Sequence, residues 1–152
     1  DSRERIGLFR DVIIKPNRRE AVRAVHPDRE THIDRALLEA CGVELYRRTG
    51  RPVFLTIGAE GILLFDPGGC DHVPAVPVRG PIDIVGAGDS VMAGLVSALC
   101  AGAEPAEAAL VGNLVASITV QQIGTTGIAT RRQVLECFRE YTRLRSRPPR
   151  SP

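Results

Sequence analysis

Apolar positions along this chain come in short blocks whose spacing changes from one block to the next, and the changes mark out a series of elements. The run "DVIIKPN" is apolar from Val12 to Ile14 and stops at Pro16, which predicts a short buried strand. Asn17 and Glu20 then stand in the N-cap and N3 positions of a helix. Thr31 with Asp34 repeats that signal, and a helix from about Ile33 to Arg48 places Ile33, Leu37, Leu38, Cys41 and Leu45 on one face before it stops at Gly50. Two apolar runs follow, Val53 to Ile57 and Ile62 to Phe65, and Gly58-Ala59-Glu60-Gly61 between them predicts a β-hairpin. "CDHVPAVPV" reads as a proline-studded edge strand. From Asp89 to Ala101 and from Pro105 to Gln121 the pattern is helical and apolar nearly all round, which predicts buried helices, with Gly102 as a stop and Pro105 at N1. "GTTGIAT" is a loop, Thr130 an N-cap, and "RRQVLECFREYTRLR" a closing helix with Val134, Leu135, Phe138, Tyr141 and Leu144 inward. The tail, residues 146–152, reads as disordered. There is no internal repeat. Strands and helices interleave, so the pattern predicts a layered α/β domain.

A chain of 152 residues suits one domain with a real core. No apolar run reaches the roughly 18 residues of a membrane span. The polar opening "DSRERIGLFRD" shows no secretory leader, so the expected compartment is the cytoplasm. Cys41, Cys70, Cys100 and Cys137 have neither zinc-site nor redox spacing and read as reduced, mostly buried thiols. A net charge of +2 gives no ground for nucleic acid or an acidic surface as partner. Lys15 is the only lysine among twenty basic residues.

Three stretches carry candidate chemistry. In "GAGD" the first turn of a helix leaves backbone N–H groups without partners, and Gly86 and Gly88 let an anion approach them with no Cβ in the way. Asp89, beside the same groups, could take a proton from a hydroxyl attacking a bound phosphate. Equally, Asp89 could N-cap the helix above a tight glycine turn. In "KPNRRE", Lys15 offers a point charge to a phosphate, and Asn17 and Glu20 offer oxygens to magnesium or its waters. The same two residues also suit a capping box. In "TIGAEG", Thr56, Gly58 and Gly61 could line a nucleotide pocket or simply turn the hairpin. A Walker A loop is excluded, and so is the dinucleotide fingerprint, because Val91 stands where its third glycine belongs. His26, His32, Asp28 and Asp34 read as a solvated loop rather than a metal cluster. The arginines of the last helix, interrupted by Glu136 and Glu140, read as a solvated face.

Taken in order, "DVIIKPNRREA", "PVFLTIGAEGILLFD", "DIVGAGDSVMAGLVSAL" and "VGNLVASITVQQIGTTG" resemble the C-terminal half of the ribokinase-like, or PfkB-type, sugar kinases. "IKPN" with "GTTG" suggests the branch near the heptose-phosphate kinases. The resemblance implies a three-layer α/β fold, only the nucleotide-binding half of it, with a mostly parallel sheet and a β-hairpin. It implies a kinase domain over residues 1–145, truncated because the sugar-binding half is missing, with "DSR" at the end of a central strand. The implied reaction transfers the γ-phosphoryl of ATP, with Mg²⁺, to a hydroxyl of a sugar or sugar phosphate. Asp89 becomes its base, and the amides of Gly86, Ala87 and Gly88 its anion hole. Asn17 and Glu20 match the N-x-x-E motif that assists magnesium and phosphate positioning, Thr56 and Gly58 line the nucleotide, and Asn113 faces the adenine. Asp83 matches the first signature aspartate, which helps to hold a potassium ion in many members. Ile84 or Val85 replaces the signature threonine, which weighs against monovalent-cation (K⁺) activation. Half a fold leaves a sheet edge open, which implies a homo-oligomer or a covering partner segment. Two other readings stay open: a non-catalytic nucleotide-binding or scaffolding module, and a nucleic-acid-binding domain using the last helix.

Overall fold

The computed structural model describes residues 5–28 and 32–146. The expectations placed on Thr31, on residues 1–3 and on the tail beyond Ser146 lie outside them. Five helices, α1 (Arg18–Val25), α2 (Arg35–Thr49), α3 (Ala87–Cys100), α4 (Pro105–Thr119) and α5 (Arg131–Arg145), surround strands β1 (Val53–Thr56), β2 (Gly61–Asp66) and β3 (Gly69–Pro74). The expected hairpin is β1–β2, with Val53 opposite Phe65 and Thr56 opposite Ile62, and β3 extends it as an exposed edge.

Three layers form because both faces of the central strands are covered. Val53, Leu55, Leu63 and Phe65 point into a core with Ile6, Ile14, α1 and α2, while Phe54, Ile62 and Leu64 point to α3 and α4. Burial on both faces explains why β1 and β2 read as continuous apolar runs rather than as alternation. A Cβ on Gly94 of α3 would stand 3.0 Å from the Gly112 Cα of α4, so small residues set how closely the two helices approach.

Several expectations about coverage are corrected. The three named strands pair antiparallel, and parallel geometry survives only at two bridges, Ile14 to Val53 and Asn17 to Thr56. The segment Val12 to Ile14 pairs with β1 at Ile14 alone, so Val12 and Ile13 are each 44% exposed. Helix α3 buries Val91, Gly94 and Leu95 but exposes Ala93, Val96, Ser97 and Cys100, because α4 and the sheet cover it from one side. Helix α5 turns Val134, Cys137 and Tyr141 inward, with Cys137 Sγ 3.5 Å from Ser117 Oγ of α4. Leu135, Phe138 and Leu144 are exposed instead. None of the four cysteines is in a disulfide, and Cys41 is buried, Cys137 half-buried, and Cys70 and Cys100 exposed.

Asp34 itself caps α2 by accepting from the Leu37 amide at 2.8 Å, so this helix starts at Arg35. Leu38, Cys41 and Leu45 are buried as expected, and the helix ends on Gly50.

Candidate functional site

Two clefts meet at the start of α3. The first, about 910 Å³, is lined by Asn17, Thr56, Gly58, Gly61, Ala87, Gly88 and Asn113, among others. The second, about 600 Å³, is lined by Asp83, Gly86, Asp89, Ser90 and the loop Gly124 to Gly127. The first turn of α3 is the wall between them.

That turn forms as it does because of Gly86, which caps the helix in the left-handed conformation at φ 77°. A residue with a Cβ resists that conformation, and glycine does not. The helix therefore begins at Ala87, and Asp89 falls in its first turn rather than at its cap. Its carboxylate is exposed toward the second cleft and makes no capping bond. Of the two readings of "GAGD", the one in which Asp89 merely caps the helix is removed. The amide of Ala87 donates to the Ile84 carbonyl at 3.1 Å, so it is spent. Among the described residues the amides of Gly86, Gly88 and Asp89 meet no acceptor within hydrogen-bond distance. An anion brought to this turn would therefore find those three amides open and that of Ala87, one of the expected set, already bonded.

Lys15 lies behind the turn, 3% exposed, with its Nζ 3.8 Å from where a Cβ on Gly88 would stand. Burial lowers the proton affinity of its amine, and the carboxylates of Glu20 and Asp89 offset part of that.

Asn17 and Glu20 form the capping box of α1, with Asn17 Oδ1 accepting from the Glu20 amide at 3.0 Å and Glu20 Oε2 accepting from the Asn17 amide at 2.8 Å. Thr56 ties β1 to this segment, its amide and hydroxyl both donating to the Pro16 carbonyl at 2.9 and 3.3 Å. Gly58 turns the hairpin at φ 68° with open space around it. Gly61, at φ 104°, is required by the fold, since a Cβ there would lie 2.3 Å from the Val73 carbonyl oxygen. Asn113 lines the first cleft, yet its Nδ2 donates to the carbonyls of Val73 and Pro74 at 3.1 and 3.0 Å. Both of its donors clamp α4 to β3 and neither is offered to a base.

Asp83 is a loop tie. Its Oδ1 accepts from the Val85 amide at 3.0 Å and its Oδ2 from the Gly124 amide at 3.2 Å. These bonds hold its carboxyl below the usual aspartate value. Among the described residues no three His, Cys, Asp or Glu side chains converge as a metal cluster.

Residues that local patterns did not single out also shape the clefts. Arg18 and Arg19 line the first, and Arg18 pairs with Glu60 and donates to the Ile57 carbonyl at 2.6 Å. Gln122 closes the loop of the second: its Nε2 donates to the Ile128 carbonyl at 2.8 Å and its Oε1 accepts from the Ile128 amide at 3.0 Å. Thr119 Oγ1 donates to Ser90 Oγ at 2.9 Å and joins α4 to the first turn of α3. Only the glycines of "GTTG" gave a sequence signal for that loop, and the arginines gave none beyond their charge.

The three layers and the glycine-opened helix between two clefts place the molecule in the ribokinase-like class. Ribokinase from Thermotoga maritima superposes with a TM-score of 0.72 at 23% identity, over 84% of this chain and 42% of that one. Phosphofructokinase-2 from Escherichia coli, in complex with potassium, gives 0.75 at 21% identity, over 90% and 43%. The sequence pattern of the pfkB family carbohydrate kinases matches residues 12–131, and the chain belongs to that family. A bifunctional protein HldE from Pelobacter propionicus is 36% identical over 118 residues, 77% of this chain and 24% of that protein. An inositol 3-kinase from Zea mays is 38% identical over 109 residues, 70% and 28% of the two chains. The chain thus spans about a quarter of the length of these curated relatives.

Proposed function

We propose that this chain is the nucleotide-binding half of a kinase that transfers the γ-phosphoryl of ATP to a hydroxyl of a sugar or sugar phosphate. The observation that carries the reading is the pair of clefts divided by the first turn of α3. Nucleotide in the first would bring its terminal phosphate to the amides of Gly86, Gly88 and Asp89. An acceptor hydroxyl in the second would meet Asp89 on the other side of the same turn. Asp89 would take the hydroxyl proton as the oxygen attacks, and the amides, with the helix dipole behind them, would stabilise the charge on the moving phosphoryl. The inositol 3-kinase, ribokinase and phosphofructokinase-2 named above support this class of acceptor.

Mg²⁺ supplies neutralisation of the phosphate charge in such transfers. The residues present fit it in one way. Asn17 Oδ1 and Glu20 Oε2 are held in the capping box, so Glu20 Oε1 would be the oxygen of the pair to meet a cation bound mainly by phosphates and water. Asp83 does not fit a dedicated metal site, because both of its oxygens already accept backbone amides.

No helix among the described residues is long and apolar enough to cross a membrane. We place the reaction in the cytoplasm on the strength of its ATP chemistry, and expect either self-association or a covering partner segment over the open edge at Val12 and Ile13.

A second reading is nucleotide binding without turnover, in which the first cleft takes a ligand and the second does not. The nucleic-acid reading finds little support, since Arg132 pairs with Glu136 and Arg145 lies over the Tyr141 ring.

Titration with a fluorescent ATP analogue, with and without Mg²⁺ at two salt concentrations, separates these readings. Saturable, Mg²⁺-dependent binding displaced by ATP is expected. Binding that ATP does not displace, and that falls steeply with salt, would overturn the kinase assignment.

A further inference from the structure

The turn Gly58–Glu60, which joins β1 to β2, is exposed throughout. Packing does not fix its tip, since nothing lies within 4 Å of where a Cβ on Gly58 would stand. Polar ties hold it from two sides instead. On the β3 side, the Glu60 carbonyl accepts from the Ala75 amide at 3.3 Å and from His72 Nε2 at 2.8 Å. On the α1 side there is Arg18, the first residue of that helix, whose Nη2 donates to the Ile57 carbonyl at 2.6 Å and to the Glu60 carboxylate. A guanidinium carries several donors in one rigid plane, so a single arginine can grip two acceptors of one turn. Arg18, Gly58, Ala59 and Gly61 all line the first cleft, whereas Glu60 lines neither cleft. With side chains 38% and 57% exposed, the Arg18–Glu60 pair adds little to global stability. Its effect is local: it keeps an unpacked turn in one place.

We propose that Arg18 is a positioning residue of the first cleft, which together with Glu60 fixes the Gly58–Glu60 turn as a wall against which a ligand binds. A ligand lying on Gly58 and Ala59 then meets a surface already ordered, and less conformational entropy is lost on binding. Affinity in this cleft therefore depends on the pair, not on a contact between the guanidinium and the ligand. The proposal takes its ligand, MgATP, from the nucleotide reading above.

Glu60 makes the test sharp, because it can reach a ligand in the cleft only through Arg18. Calorimetric titration of the full chain with MgATP is run on the wild type, Arg18→Ala, Glu60→Ala and the double variant, beside thermal midpoints and amide hydrogen exchange of the ligand-free proteins. Each single substitution is expected to weaken MgATP by roughly three- to tenfold, and the double variant to lose no more than the larger single loss. Thermal midpoints should stay within about 3 °C of the wild type. Protection of the Ile57 amide, which donates to the Gly61 carbonyl at 2.8 Å, should fall alike in both single variants. A loss in Arg18→Ala that Glu60→Ala does not share would mean that the guanidinium meets the ligand itself, and would overturn the proposal. Losses that add in the double variant, loss in neither variant, or midpoints that fall in step with affinity would also overturn it. A wild type that binds no nucleotide, while both variants lose Ile57 protection alike, would uphold the tie and overturn the nucleotide reading. Nucleotide binding that neither substitution weakens, with Ile57 protection unchanged, would do the reverse.

Discussion

At the scale of single residues, position in the helix decides what Asp89 can do. Gly86 takes over the cap, and the carboxylate is left facing a cleft. On the proposed function, Asp89→Asn is nearly isosteric and removes only the proton acceptor, so nucleotide affinity should stay within about twofold, while phosphoryl transfer by the complete enzyme, measured as ADP release, should fall by roughly 10²–10⁴-fold. Unchanged turnover would show that the base lies elsewhere. The two glycines of the hairpin can be told apart in the same spirit. Gly58→Ala meets only an unfavourable backbone conformation and should cost about 1–2 kcal/mol, whereas Gly61→Ala adds a collision with the Val73 carbonyl and should cost roughly 2–4 kcal/mol. Equal denaturation midpoints for the two variants would contradict this. The sequence could show both glycines in a turn but not that the neighbouring strand leaves no room for a Cβ on Gly61, which would lie 2.3 Å from the Val73 carbonyl oxygen. Asn113 shows the same limit: it lines the cleft, but the β3 carbonyls that accept from its side-chain amide are about forty residues away in the chain and leave no local signal.

Between residue and fold stand the helix ends and loops, and here the local signals were fully legible. A capping box needs only residues three apart, and Asn17 with Glu20 forms one as expected. Its functional duty can be separated from its structural one, because glutamine serves equally well at N3. Glu20→Gln should leave stability within about 0.5 kcal/mol and weaken only the Mg²⁺-dependent part of ATP binding, whereas Asn17→Ala should cost about 1 kcal/mol. Loss of stability in Glu20→Gln equal to that in Asn17→Ala would mean that the carboxylate serves the cap alone. The Asp83 tie, by contrast, joins loops forty-one residues apart and gave no sequence signal of its kind. Its carboxyl titrates lower in the folded protein than in the unfolded chain, so its contribution is complete above the ordinary aspartate value of 3.8 and is lost as pH falls through the lower folded value. The protection of the Gly124 amide against hydrogen exchange, taken relative to its intrinsic rate at each pH, should therefore fall as the solution is acidified below 3.8, and Asp83→Asn should show the lower protection already at neutral pH.

For the molecule as a whole, the spacing of apolar residues foretold which faces are apolar but not which are covered. Periodicity is a property of one segment, and burial is a property of its neighbours. That is why α5 keeps Leu135 and Phe138 in solvent, and why α3 shows Val96 to it. The layer order and the antiparallel hairpin were legible because they follow from short connections, whereas the convergence of Asn17, Ala87, Gly88 and Asn113 on one cleft became visible only through a family resemblance that fixed their order. With Val12, Ile13, Ile84 and Val85 exposed, static light scattering should give a mass that rises above 16.4 kDa with concentration. A constant 16.4 kDa at high concentration would rule out self-association and leave only a separate covering segment. What everything else depends on is the proposal that the first turn of α3 holds a terminal phosphate beside Asp89. The most direct measurement is a two-dimensional amide NMR titration with MgATP. Saturable shifts of the Gly86, Gly88 and Asp89 amides, larger with ATP than with ADP, are the result this structure predicts. Shifts confined to other parts of the chain, or none, would contradict it.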